Sequence, residues 1–316
     1  MKKIAAPHVQ NLLDYAESLG ADIVTIKDKC LNNPAGDLGK IENKVSMIEH
    51  GNIIRELAEF TADSYLGLHY GCFLNIKSMG LIYNISKSAT EANQVIDFLN
   101  DFLVSTFPVI EIKIVNSKKR TELRLLCEIK DEFISKHLLD STLAIMYRES
   151  RLIFGNKIPI KVFIPTVDLE PYNNALDVKA GRGRFYTIQF DSSLMNKALS
   201  RNTIFSLNEM LPAFLNLLES AKSSDLFSSQ VKRMILNMAT PDLPDLKKVA
   251  DQFCMSERTM QRRLLSENTT FRTIINTITK DLAKYLKKSK HLKIRDIAQL
   301  LGYSEASAYL HAVSKW

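Results

Sequence analysis

Cysteine is scarce in this chain of 316 residues. Its four cysteines, Cys30, Cys72, Cys127 and Cys254, stand far apart and form neither a CxxC nor a Cys/His cluster. That spacing excludes a disulfide ladder and a zinc ribbon and points to a reduced, cytoplasmic protein. Long apolar runs are also missing, and no stretch approaches the ~18 residues of a membrane helix. The basic start MKKIAAPHVQNLL leads into no apolar segment of about 7 residues, so no signal peptide is expected. There is no HExxH, GxSxG, P-loop or GxGxxG. The six histidines (His8, His50, His69, His137, His291, His311) lack metal-ligand spacing. The sequence thus offers no enzyme, cofactor or metal site.

What is present is an ordinary globular balance, 46% hydrophobic and 24% charged, with an uneven distribution of charge. Residues 230–316 hold 16 Lys+Arg against 8 Asp+Glu, or +8, and residues 1–229 hold 26 against 27, or −1. A near-neutral body with a basic C-terminal module suggests a polyanionic partner. A solvated cationic surface without a partner is the alternative.

The body reads as α+β with an antiparallel sheet. Ile53, Ile54, Leu57, Ala58 and Phe60 form one helical stripe, and Val95, Ile96, Leu99, Phe102 and Leu103 form another. Residues 109–115 and 123–129 alternate about a polar turn, as in a hairpin. A helix follows over 131–154, then strands at 158–164 and 185–190, and a helix over 205–220 closes the body. His69 beside Tyr70 reads as a structural histidine or a pocket lining. Gly181-Arg182-Gly183-Arg184 reads as a basic turn or an anion site. The polar stretch 223–230 marks a linker, dividing a sensing or dimerisation domain at 1–222 from a module at 231–316.

That module carries an internal repeat. Val249-Ala250 recurs as Ile297-Ala298, Phe253 as Leu301, and Cys254-Met255-Ser256-Glu257 as Gly302-Tyr303-Ser304-Glu305, an offset of 48 residues (297 − 249). Each copy reads as a short helix, a tight turn, and a Ser that caps a second helix, the pattern of a helix-turn-helix. The copies span about 246–265 and 294–316. In the first, Met260 and Leu264 face inward, leaving Arg258, Gln261 and Arg262 outward. Arg matches guanine O6 and N7, and Gln matches adenine N6 and N7, so this face suits a major groove. Thr259 and Arg263 flank it toward phosphate. Between the copies a helix over 270–288, about 27 Å long, serves as a spacer.

Residues from about 243 to 316 resemble the DNA-binding domain of AraC/XylS-type transcription regulators. The resemblance lies in Val249-Ala250, Ser256 to Leu264, Ile294 to Ala298 and Leu300 to Tyr309. The body is more loosely similar to the arabinose-binding-domain-like sensor region of one branch, through Gly67-Leu68-His69-Tyr70-Gly71 and Glu91-Ala92. The resemblance implies an all-α double helix-turn-helix module that meets promoter DNA and RNA polymerase under a sensor of a small effector, with a possible homodimer. It places DNA contacts on Ser256, Arg258, Thr259, Gln261, Arg262 and Arg263, and on Ala306, Ser307, Leu310 and His311. The chain departs from the family pattern at Thr279, Leu310, His311 and Val313. It also ends at Trp316, where the family continues into a closing helix. With that helix absent, the stripe Tyr309, Ala312, Val313 and Trp316 is expected to lack part of its cover. The second motif is then the poorer reader, and 294–316 the least stable part. The alternative is a modulator that acts through protein contacts without binding DNA by itself. The effector-binding residues are not legible.

Overall fold

The structure is a computed structural model that describes residues 2–86, 89–155, 158–197, 201–221, 226–240, 242–289 and 291–316. Two compact units divide it, residues 1–74 with 84–200 and residues 75–83 with 201–316.

The first unit contains β1 (Lys3–Ala5), α1 (Ala6–Ser18), α2 (Ile23–Cys30), β2 (Lys44–Ser46), α3 (Met47–Thr61) and α4 (Leu66–Phe73). Of the helix α5 (Asn75–Ser86), residues 84–86 belong to this unit and 75–83 to the other. The unit continues with α6 (Ala92–Thr106), β3 (Ile110–Asn116), β4 (Arg120–Cys127), α7 (Glu132–Phe154), β5 (Lys161–Ile164), α8 (Glu170–Leu176), β6 (Gly181–Arg182) and β7 (Tyr186–Asp191). The five-stranded sheet has the order β3-β4-β7-β5-β6 and is antiparallel except where β5 and β6 run parallel. The expected hairpin is β3–β4, with Ile110 opposite Cys127 and Asn116 opposite Thr121. The inward residues of the sheet, Ile112, Leu123, Leu125, Ile188 and Val162, are buried as period-two alternation requires, and α7 packs on β4 and β7. The pairing of β1 with β2 joins segments some forty residues apart, and neither run is long enough to signal itself.

The stripes are largely as expected: Ile53, Ile54, Leu57, Val95, Ile96 and Leu99 are buried. Phe60 is 55% exposed and does not belong to its stripe. Gly181-Arg182 is edge strand rather than turn, and its glycines answer Phe163. A Cβ at Gly181 or Gly183 would stand 2.9 or 2.8 Å from that side chain. Both arginines are exposed, and Arg184 lies over the Phe185 ring. His69 is paired, its Nδ1 2.7 Å from Asp63 Oδ2.

α4 and α7 meet without intervening side chains. A Cβ on Gly67 would sit 2.2 Å from the His137 carbonyl oxygen, and one on Gly71 2.6 Å from that of Ser141. Only glycine permits this approach. Beside the crossing, His50, Tyr70, His137 and Ser141 help line a cavity of about 20 Å³, room for a single water-sized group. Burial, then the charge of His8, pushes the His50 imidazole down to about 3, and burial also lowers His137.

The second unit comprises α9 (Arg201–Ser220), α10 (Phe227–Met238), α11 (Leu246–Gln252), α12 (Glu257–Ser266), α13 (Phe271–Leu286), α14 (Ile294–Leu300) and α15 (Ala306–Ser314), with residues 75–83 of α5. Two expectations meet different outcomes. The units divide ahead of α9, about twenty residues before the polar stretch taken as a linker. Of that stretch, 223–225 lie outside the described residues, and Phe227 to Gln230 already form the first turn of α10. The reason is packing: Phe227, Val231, Met234 and Ile235 make an apolar face that overrides the serines.

Replacing Gly67 or Gly71 by Ala should cost about 3 kcal/mol or more, because backbone rather than a flexible side chain must yield. Gly80→Ala, whose added methyl meets nothing closer than Leu211 Cδ2 at 3.9 Å, should be neutral or stabilising by about 1 kcal/mol. Urea midpoints compare the three. The buried neutral histidines set a pH dependence with a definite sign. Their folded pKa values lie below the ordinary 6.5, so the stability they contribute is complete above pH 6.5 and is lost as pH falls, for His50 toward about 3. His50 alone should contribute a slope of about 1.4 kcal/mol per pH unit near pH 5, absent in His50→Gln. Denaturant melts at pH 5 and 7.5 measure it.

Candidate functional site

The first helix-turn-helix is α11 followed by α12. Asp245 Oδ1 caps α11 by accepting the Lys248 N–H at 2.9 Å. Val249 and Ala250 are buried, and the Ala250 carbonyl then accepts two turn amides, Phe253 N–H at 3.1 Å and Met255 N–H at 3.2 Å. To make the second bond Cys254 takes a left-handed backbone with φ 50°. Ser256 starts α12, its Oγ accepting the Thr259 N–H at 3.2 Å.

Met260 and Leu264 are fully buried, so the helical period leaves Arg258, Gln261 and Arg262 exposed together on the opposite face. Three of the expected contact residues have structural duties. Ser256 and Thr259 share the cap, with their hydroxyls 2.9 Å apart. The Arg263 guanidinium lies 3.9 Å from the centroid of the Phe227 ring. The same junction holds Glu267, whose carboxylate accepts Phe227 N–H and Ser228 N–H, both at 2.8 Å. Burial acts to raise the Glu267 pKa, but these bonds and Arg263 hold it below the usual range. Sequence reasoning passed over Glu267 and Phe227. A lone Glu in a polar turn carries no sign that it satisfies a helix end forty residues earlier.

The second copy repeats the closing bond of the turn but not the whole pattern: Leu301 N–H, the counterpart of Phe253 N–H, donates to Ile297 O at 3.0 Å rather than to Ala298 O. Gly302 N–H donates to Gln299 O at 3.1 Å and Tyr303 N–H to Ala298 O at 2.9 Å, with Gly302 at φ 80° where Cys254 stands in the first. Its second helix differs. Ser304 does not cap; Glu305 occupies the N-cap position without a side-chain bond, one residue later than the repeat predicts. The buried anchor is Tyr309, 49 residues after Met260 (309 − 260). Tyr303 and Trp316 pack on it edge-on with centroids 5.6 and 6.2 Å away, so Tyr303, from the turn, covers the Tyr309 end of the stripe. Of the expected contacts here, Ser307, Leu310 and His311 are exposed and Ala306 is half-buried.

α13 joins the copies. Its 16 residues give about 24 Å rather than 27. Its apolar stripe (Ile274, Ile278, Leu282, Leu286) is buried, and α9 and α10 pack against the helix. His291 Nε2, 3.0 Å from Glu209 Oε1, ties the segment before α14 to α9. The helix expected to close the body therefore braces this unit instead.

No protein-family model matches the chain. The ornithine utilization regulator of Pseudomonas aeruginosa is 21% identical across 99% of this chain and 93% of its own length. The HTH-type transcriptional regulator VqsM of the same organism is 32% identical over 83 residues, 26% of each chain. An uncharacterized HTH-type transcriptional regulator of Mycobacterium tuberculosis is 33% identical over 73 residues, 23% of this chain and 21% of that one. Among solved structures, the transcriptional regulator CdpR of Pseudomonas aeruginosa aligns over 98% of this chain and 95% of its own, at 18% identity and a TM-score of 0.43.

Among the described residues, no group of three or more His, Cys, Asp or Glu is placed to hold a metal ion. No helix there is long and apolar enough to cross a membrane. The turn itself is testable. Cys254→Gly should stabilise the second unit by about 0.5–1 kcal/mol by relieving the left-handed backbone, and Gly302→Ala should cost about 1 kcal/mol. Thermal melts of the two variants should therefore shift in opposite directions.

Proposed function

We propose that the chain is a sequence-specific DNA-binding transcription regulator of the AraC/XylS kind. The observation that carries this reading is α12: a buried Met260–Leu264 stripe turns Arg258, Gln261 and Arg262 outward together, on a helix held by a helix-turn-helix turn. Guanidinium and amide groups at that spacing match purine edges in a major groove. The names of the relatives accord with it. Ser256, Thr259 and Arg263 then act by positioning the reading helix, with any phosphate contact secondary. The exposed Lys284 on α13 and Lys287 just after it are suited to phosphate.

In this reading the first unit senses a small effector or pairs two chains, and RNA polymerase is recruited or blocked at the promoter. The site of the effector is not the 20 Å³ cavity beside His50, which is too small for one.

Binding to duplexes selected from random sequence tests the proposal. Arg262→Ala should lose about 1–3 kcal/mol on its preferred duplex and relax specificity at one position. Lys284→Ala should weaken all duplexes alike. The logarithm of affinity should fall linearly with the logarithm of salt concentration, with a slope near −0.9 per phosphate and roughly 3–6 phosphates engaged. Salt-insensitive binding, or an Arg262→Ala variant of unchanged specificity, would overturn the proposal.

A further inference from the structure

The two copies share a turn and differ in what they hold outward. From this difference we propose that the second motif reads thymine by its 5-methyl group, through Leu310. The inference rests on the DNA-binding reading above.

α12 is ERTMQRRLLS, with three arginines and a glutamine; α15 is ASAYLHAVS, with no Lys, Arg, Asp, Glu, Asn or Gln. A helix without guanidinium or amide has no bidentate partner for guanine O6/N7 or adenine N6/N7. What α15 presents to solvent is Ser307, Ala308, Leu310 and His311, with Leu310 49% exposed. A serine hydroxyl bonds to the edge of any base and discriminates little. The Leu310 side chain matches one apolar feature in a major groove, the thymine methyl, and covering it removes both surfaces from water.

The late start of α15 decides which residue stands where. With the second helices offset by 49, Leu310 occupies the place of Gln261 (310 − 261) and His311 that of Arg262 (311 − 262). At the sequence offset of 48, Leu310 would have matched Arg262 instead. The slip follows from the burial of Tyr309, which leaves its neighbour Leu310 directed away from the core. Leu265 of α12 is also exposed, but it lies in the last turn, beyond the N-terminal residues by which a recognition helix meets bases.

The probe is a duplex enriched from random sequence by the full-length chain, with thymine replaced by uracil at one position at a time. This removes the methyl and leaves every hydrogen-bonding group. Affinity should fall about fourfold per contacted methyl. The sensitive positions should cluster about 10 base pairs from the position whose specificity Arg262→Ala relaxes. Leu310→Ala, an exposed site whose change leaves the fold intact by circular dichroism, should bind the thymine duplex about fourfold more weakly and no longer distinguish uracil. Uracil tolerated at every position, or a uracil penalty that survives Leu310→Ala, would overturn the inference. If no duplex is enriched at all, the DNA-binding reading falls and this inference falls with it.

Discussion

The second unit depends on one carbonyl. Ala250 O accepts both Phe253 N–H and Met255 N–H, and the chain can close that turn only with a left-handed residue at position 254. The angle of α12 follows from the turn, and its rotation follows from Met260 and Leu264, which must be buried for the turn to be worth forming. The outward face of Arg258, Gln261 and Arg262 is then the remainder of a packing solution. Of the two bonds only the closing one recurs: Ala298 O accepts Tyr303 N–H, while Leu301 N–H donates to Ile297 O.

Support for α12 comes from outside the repeat. Phe227 lies under Arg263 and beside Phe253, with ring centroids 5.3 Å apart, while Glu267 satisfies the open amides of α10. An arginine counted by type as a DNA contact thus holds the helix from behind. Orphan amides at a buried helix end are costly, and a carboxylate also complements the helix dipole there. In the first unit the corresponding constraint is steric. Gly67 and Gly71 let α4 lie backbone to backbone on α7, and α7 in turn carries the sheet.

The two motifs have diverged in chemistry more than in geometry. The turns share the closing hydrogen bond and the backbone sign, yet α12 is strongly polar outside and α15 is uncharged. A single residue of delay at the start of α15 changes which side chains occupy equivalent places. Repeats of this kind need not be functionally symmetric, since packing conserves the inward positions and leaves the outward ones free.

Much was legible in the residues alone. The β3–β4 hairpin, α7, the buried stripes and both turns follow from periodicity and local bonding, which act over a few residues and are written in adjacent positions. The spacing of 48 placed both motifs for the same reason. Other features had no local trace. The β1–β2 pairing, the membership of α9 in the second unit, the start of α10 inside a serine-rich stretch and the stacking of Arg263 on Phe227 all depend on partners distant in sequence. The slip of α15 belongs with them: Ser304 is as good a cap as Ser256, and only the burial of Tyr309 against Tyr303 and Trp316 selects the later start. Local preference determined which elements form. Long-range burial decided where they begin, which unit they join and which of their faces remain free.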